Sequence, residues 1–345
     1  MSSDEPGQRG TPRVSVLLPV RDARDTLPRC LASLARQTLA DHEVIAVDDG
    51  SNDGSTEILE SAARRDRRVR VFRIPPSGLV AALNLGLTKA RAPLVARMDA
   101  DDVAHRERLA WQARRLSQDL ATAILGCRVR LAGPAGFPNR GMRAYVRWQN
   151  RLLDHDAISR ELFVESPLAH PSVMMRASVL GALGGYRAFD GPEDYDLWLR
   201  AHAAGFRFGK LAAKLLVWGD GPRRLSRCDP RYAPERFRAL KLEALARGRL
   251  RGRSAVVIWG AGRIGKSWGR ALARGGHRVA AFVEVDPRKI GQRVQGAPVV
   301  ALAGAVAFPG ALHLAAVGQP GARARIRRAA FRLGLREGRD LVAVA

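Results

Sequence analysis

Four strand-length runs, each closed by polar, acidic or proline residues and followed by a stretch with helical spacing, constrain this chain more than any other feature. They lie at 14–20, 43–47, 69–74 and 94–98 and have the length and composition of strands. Behind the first, Leu27, Leu31, Leu34 and Ala35 recur at helical spacing; behind the second a helix passes through Ile58 and Leu59; behind the third one spans 77–90. Such alternation predicts an α/β fold, a mostly parallel sheet with helices on both faces. Sheets of that kind bind ligands outside the carboxyl ends of their strands, and Asp22, Asp48, Asp49 and Asp99 fall at those ends.

The fourth run carries the most chemistry. Pro93 precedes it, and Asp99, Asp101 and Asp102 follow it. If the backbone stays extended for one more step, Asp99 and Asp101 point to the same side. Two carboxylates so placed repel each other, and oxygen ligands with room for water and phosphate suit a hard ion, Mg²⁺ or Mn²⁺. The competing reading is that Asp101 or Asp102 caps a helix starting near Val103. The second run ends in the turn-forming series 48–55, with Ser55 or Thr56 placed to cap the next helix.

Composition narrows the function classes. A length of 345 residues allows two domains with cores of their own, and 46% hydrophobic content fits a globular chain. The formal charge of +25 points to an anionic partner. That partner is not read as nucleic acid: arginine far outnumbers lysine throughout, the charge is spread along the chain with few interleaved aromatics, and no zinc-finger or RNA-recognition signature accompanies it. A phosphate-bearing small substrate or an anionic membrane surface needs only part of that charge. Cys30, Cys127 and Cys228 are far apart and odd in number, which fits a reducing cytoplasm better than a disulfide framework. Residues 1–12 read as a flexible lead-in, and the uncharged stretch 298–318 reads as two short buried segments around Pro309-Gly310, not a membrane span.

Val-Ser-Val-Leu-Leu-Pro-Val at 14–20, Val-Asp-Asp-Gly-Ser-Asn-Asp-Gly-Ser at 47–55, Arg-Met-Asp-Ala-Asp-Asp at 97–102 and Glu-Asp-Tyr-Asp-Leu-Trp-Leu-Arg at 193–200 resemble, in order, the successive signatures of family 2 glycosyltransferases. The resemblance implies a GT-A fold and an inverting transfer from a nucleotide-diphosphate sugar, a UDP-sugar first, to a saccharide or lipid-linked acceptor. Carried over position by position, Asp48 or Asp49 holds the donor's base and ribose, with Pro19, Asp22 and Asn84 as further donor-side residues. Asp99 and Asp101 then bridge through a divalent ion to the diphosphate.

The chemistry calls for these residue types. Breaking a sugar–phosphate bond leaves a diphosphate whose growing charge a cation stabilises, and a single displacement needs a base for the acceptor hydroxyl. Glu193 and Asp194 are the candidates for that base, lying between Gly191-Pro192 and a helix with Leu197, Trp198 and Leu199. The resemblance favours Asp194; both acids also suit a helix start. His170, in a His-Pro-Ser-Val-Met-Met-Arg series, is read as a phosphate or metal contact or as a structural residue, and Tyr186 as lining the acceptor cleft. From Trp218 onward a basic, turn-rich stretch resembles the segment that closes over the donor, with Arg223, Arg224 and Ser226 as phosphate donors; the alternative is a solvated loop. The helix expected at 234–250 packs on the transferase part or lies on a membrane.

A second domain is expected from about Arg253. A strand at 255–258, the glycines Gly260, Gly262 and Gly265, a helix through Leu272 and a strand at 279–283 ending in Glu284 and Asp286 make a Rossmann-like phosphate loop with no ligand assigned. The expected layout is therefore 1–12 flexible, 13–221 GT-A, 222–252 basic helical linker and 253–345 Rossmann-like. The expected protein is a cytoplasmic hexosyltransferase-type enzyme, at the inner membrane face, acting in cell-surface polysaccharide or glycoconjugate synthesis. Its rivals are an NAD(P)-dependent oxidoreductase built on Gly260–Gly265 and a basic nucleic-acid-binding protein.

Overall fold

The structure, a computed structural model, describes residues 11–134, 137–222 and 224–345. Most of the expected lead-in at 1–12, and Arg223, lie outside the described residues. The chain divides into two compact units, each discontinuous in sequence. One holds the described residues up to His155 with Leu168–Phe189 and Gly205–Cys228; the other holds Asp156–Pro167, Asp190–Ala204 and Asp229–Ala345.

The first unit is built on eight strands: β1 (Val14–Val20), β2 (His42–Asp49), β3 (Val69–Ile74), β4 (Leu94–Arg97), β5 (Val103–Ala104), β6 (Thr122–Ala132), β7 (Met174–Arg176) and β8 (Arg207–Gly219). Their order is β3-β2-β1-β4-β7-β6-β8-β5. The first four strands run parallel, as the alternation predicts. Beyond them the sheet is mixed: β7 is antiparallel to β4 and β6, β6 and β8 are parallel, and β5 is antiparallel to β8. The core fills from β1 outward, with Val14, Val16, Leu18, Ala46, Ala96 and Met98 all buried. Pro19 sits in a central strand because β4 pairs with β1 only up to Leu17, so its missing N–H costs no ladder bond.

Two local expectations are corrected. The helix Ser55–Arg65 is not capped by Ser55 or Thr56: Gly54 at φ 95° takes the N-cap position, and the Ser55 amide and hydroxyl donate to Asp53. No helix begins near Val103; the chain enters β5 there, and the helix starts at Arg108.

The second unit contains β9 (Val256–Trp259), β10 (Val279–Val283), β11 (Arg293–Val294), β12 (Ala297–Val300), β13 (Leu312–Ala315) and β14 (Leu341–Ala343) in the order β11-β12-β10-β9-β13-β14. All pairs are parallel except β11 with β12. The chain winds outward from β9 on one side and then crosses to β13 on the other, the doubly wound order of Rossmann-like sheets. In the same unit the helix Pro234–Arg247 packs against the helix Glu193–Ala203, Tyr195 and Phe237 having ring centroids 5.4 Å apart. Buried Lys241 donates to the Val164 carbonyl at 2.7 Å. Among the described residues no helix is long and apolar enough to cross a membrane.

Candidate active site

The three acids after β4 form the centre of the first unit's polar edge. Arg97, fully buried at the end of β4, donates to Asp99 Oδ1 at 2.6 Å. Asp102 is buried as well: its Oδ1 accepts the Gly219 amide at 2.7 Å, and its Oδ2 has no hydrogen-bond partner. One carboxylate oxygen from each of Asp99, Asp101 and Asp102 lies within 4.8 Å of the others. Burial, then the charges of Asp101 and Asp99, push Asp102 well above the usual carboxylate range. Crowding away from water, then the Asp99 charge, push Asp101 up to about 6, although the residue reaches the surface. Three converging hard oxygens, one an orphaned buried atom, are a donor set that fits a divalent cation. Asp102, read from sequence only as a possible cap, is thus the third member of the cluster; its place in the same acidic run was the available signal.

The segment after β8 lies directly against this cluster. β8 itself runs through Trp218, so the turn-rich stretch begins later than its sequence suggests. A Cβ on Gly219 would stand 2.8 Å from the Asp101 carbonyl oxygen, which explains the glycine. The buried side chain of Asp220 pairs with Arg227 at 2.5 Å and Arg224 at 3.6 Å. Arg224 stacks over Trp218 at 4.0 Å and Arg227 over Phe137 at 4.8 Å, while Ser226 is exposed. Sequence reasoning named Arg224 and Ser226 but missed Asp220 and Arg227, whose pairing depends on how the turn folds back.

At the neighbouring strand end, Asp48 and Asp49 are engaged by the chain itself. Asp48 accepts from the Ser51 amide and the Thr56 hydroxyl; burial opposes its ionisation, but these bonds prevail and hold it below its usual range. Asp49 Oδ1 accepts the amides of Ser77 and Gly78, fixing the start of the helix Leu79–Lys89. Asp22, at φ 46°, accepts the Asn52 amide at 2.9 Å. Asn84 clasps the Tyr186 backbone from both ends of its amide, at 2.8 and 2.9 Å. Tyr186 Oη meets His170 Nε2 at 2.9 Å, so three candidates from separate parts of the sequence form one cluster.

Glu193 and Asp194 open their helix in the second unit. Pro192 takes the N-cap position, and both acids lie in the first turn, where Asp194 Oδ1 accepts the Tyr195 amide at 2.7 Å. Glu193 is buried and accepts the Tyr232 hydroxyl at 2.6 Å; Asp194 is half-buried. Burial, then the charges of Glu193 and Asp194, raise the Tyr232 phenol above its ordinary range. Nothing in the sequence pointed to Tyr232.

Comparison with known proteins fits this geometry. The model of glycosyl transferase family 2 matches residues 15–184. EpsE of Bacillus subtilis, named as a glycosyltransferase, is 31% identical over 201 residues, covering 57% of this chain and 69% of its own. The chain belongs to glycosyl transferase family 2. This transferase is also 29% identical to WbnJ of Escherichia coli, an O-antigen biosynthesis glycosyltransferase, over 54% of this chain and 70% of WbnJ. In fold the transferase resembles S. aureus TarS 1–349, solved in complex with UDP-GlcNAc, with a TM-score of 0.55 and 18% identity over 68% of this chain and 66% of that one. The fold is GT-A.

Proposed function

We propose that the transferase moves a sugar from a nucleoside-diphosphate sugar to an acceptor hydroxyl with inversion, in the assembly of a bacterial surface polysaccharide. The observation that carries this reading is the acid cluster at the sheet edge, with oxygens of Asp99, Asp101 and Asp102 within 4.8 Å of one another and Asp102 Oδ2 unpartnered. These three acids would hold a divalent cation, which would supply positive charge against that developing on the leaving diphosphate. Arg97 orients Asp99, and the Gly219 amide orients Asp102. Arg224 and Arg227, gathered on Asp220, supply positive charge beside the same edge. The base is Asp194, the acid that the family resemblance favours, while Glu193 accepts the Tyr232 hydroxyl. In this reading Asp48, Asp49 and Asp22 belong to the donor side, and the buried His170–Tyr186 pair supports the acceptor side from beneath. The name of WbnJ and the UDP-GlcNAc bound by TarS support the donor class and the polymer.

The test is thermal shift with UDP-GlcNAc and GDP-mannose, with and without Mn²⁺, followed by NMR of the anomeric configuration of the product. A donor-induced shift that requires Mn²⁺, is lost in Asp101→Asn and leads to an inverted product is expected. A shift unaffected by chelator in both proteins, or a retained configuration, overturns the reading.

A further inference from the structure

The second unit contains a cavity of about 850 Å³ that sugar transfer leaves unused. It opens at the carboxyl ends of β9, β10 and β13, where the chain crosses from one half of the sheet to the other. Doubly wound sheets take ligands at that crossing, and the volume falls within the range of about 300–1,000 Å³ usual for small-molecule sites. Ile264, Val285 and Leu302, three large apolar side chains left exposed by the fold, all line it. An apolar wall of that kind suits a flat ring.

The polar groups around the cavity are mostly positive. Two helices begin on it, Arg263–Arg274 behind β9 and Ala322–Arg332 behind β13. Neither start has a side-chain cap or an acid in its first turn. Their first-turn amides and dipoles therefore favour negative charge from two sides. Arg263 and Arg325 line the same space, and neither has an ion-pair partner among the described residues. Charge converging from two helix ends and two arginines matches more than one phosphate.

The glycines make the same point. Gly260, at φ 106°, lies where a Cβ would meet Val317 at 2.4 Å, and a Cβ on Gly265 would meet the Gly260 carbonyl oxygen at 1.8 Å. The fold itself requires both. Gly262 has φ −84°, which any residue adopts, and a Cβ there would meet nothing within 4 Å. Its bare backbone serves the cavity and not the packing. At the other end, Glu284 follows β10, its Oε2 accepting the Ala261 amide at 3.2 Å and pairing with Lys289 at 3.3 Å. An anion in that position repels phosphate and accepts hydroxyls. Asp286 is instead tied to Arg288 in the next turn and does not line the cavity.

We infer that this cavity binds a nucleoside diphosphate, with its phosphates between the two helix starts and its ribose hydroxyls toward Glu284. A dinucleotide cofactor and a nucleotide sugar share that chemistry. Titration calorimetry of the full chain with NAD⁺, ADP, UDP-GlcNAc and GDP-mannose separates them. Gly262→Asp places a carboxylate in the phosphate position while supplying a favoured helix cap, so the fold is expected to hold; Arg325→Glu reverses charge at an exposed position. At least one probe should bind the wild type and bind both variants at least about tenfold more weakly. Loss confined to NAD⁺ and ADP identifies a dinucleotide; loss of a UDP-GlcNAc or GDP-mannose site that survives in Asp101→Asn identifies a nucleotide sugar. If Gly262→Asp melts at a lower temperature, Arg325→Glu alone decides. Affinities for all four probes that are absent in the wild type, or unchanged in the variants, overturn the inference.

Discussion

Asp102 Oδ2 is a buried carboxylate oxygen without a partner, and burial, then the charges of Asp101 and Asp99, disfavour its ionisation. Asp102→Asn keeps an oxygen for the Gly219 amide and removes one negative charge from the cluster. The variant is therefore expected to melt higher than wild type without metal, and to gain less from Mn²⁺; thermal melts with and without the ion check both signs. His313 in β13 gives a second residue-scale prediction. Its Nδ1 accepts Trp259 Nε1–H at 3.0 Å, and burial pushes the imidazole from the usual 6.5 down to about 4, against the charge of Asp340. Between those values the unfolded chain binds a proton that the folded chain does not. Stability is therefore complete above 6.5 and falls as pH drops toward 4, by up to about 1.4 kcal/mol per pH unit from this residue. Denaturant midpoints from pH 7 to pH 4 should fall less steeply in His313→Gln; equal slopes would remove His313 as the cause.

At the scale of elements, the strands and helices that precede the acid cluster were legible because their patterns are local. Apolar runs of strand length gave β1 and β3 at their observed bounds and β4 to within a residue. What the sequence hid depends on contacts between distant segments. β7, three residues long, carries no periodicity of its own yet runs against both its neighbours, β4 and β6. Asn84 looked like a donor ligand, and only the fold shows it holding Tyr186. Tyr232 likewise meets Glu193 across 39 positions of sequence. Removing its hydroxyl in Tyr232→Phe takes a charge-assisted bond from a buried acid, worth about 1.5–3 kcal/mol. Chemical denaturation should register that loss, with turnover reduced less than in Asp194→Asn, which is expected to fall by about 10²-fold or more. Near-normal turnover in Asp194→Asn together with a dead Glu193→Gln would exchange the two roles.

For the whole molecule, the first parallel sheet was readable from alternation and the second domain from the order of its strand, glycines, helix and acids, but the partners that complete each compact unit were not. Asp156–Pro167 and Asp190–Ala204 belong with the C-terminal residues, although about fifty to a hundred positions separate them from Arg253. A physical link within that unit is Glu161, buried and paired with Arg323 at 2.5 Å and Arg327 at 2.7 Å. Burial alone would raise the Glu161 carboxyl, and the two arginines reverse this and hold it below its usual range. A chain ending at Leu250 loses both cations, and stripping the partners from a buried charge costs about 3–5 kcal/mol. Such a chain is therefore expected to melt well below the full protein, and Glu161→Gln, which makes the group neutral, should restore part of the loss in the shortened chain while lowering stability in the full one. That opposite sign is the diagnostic: a shortened chain that melts with the full protein, or a Glu161→Gln change of the same sign in both, would mean that the last hundred or so residues fold apart from the helix that carries Glu161.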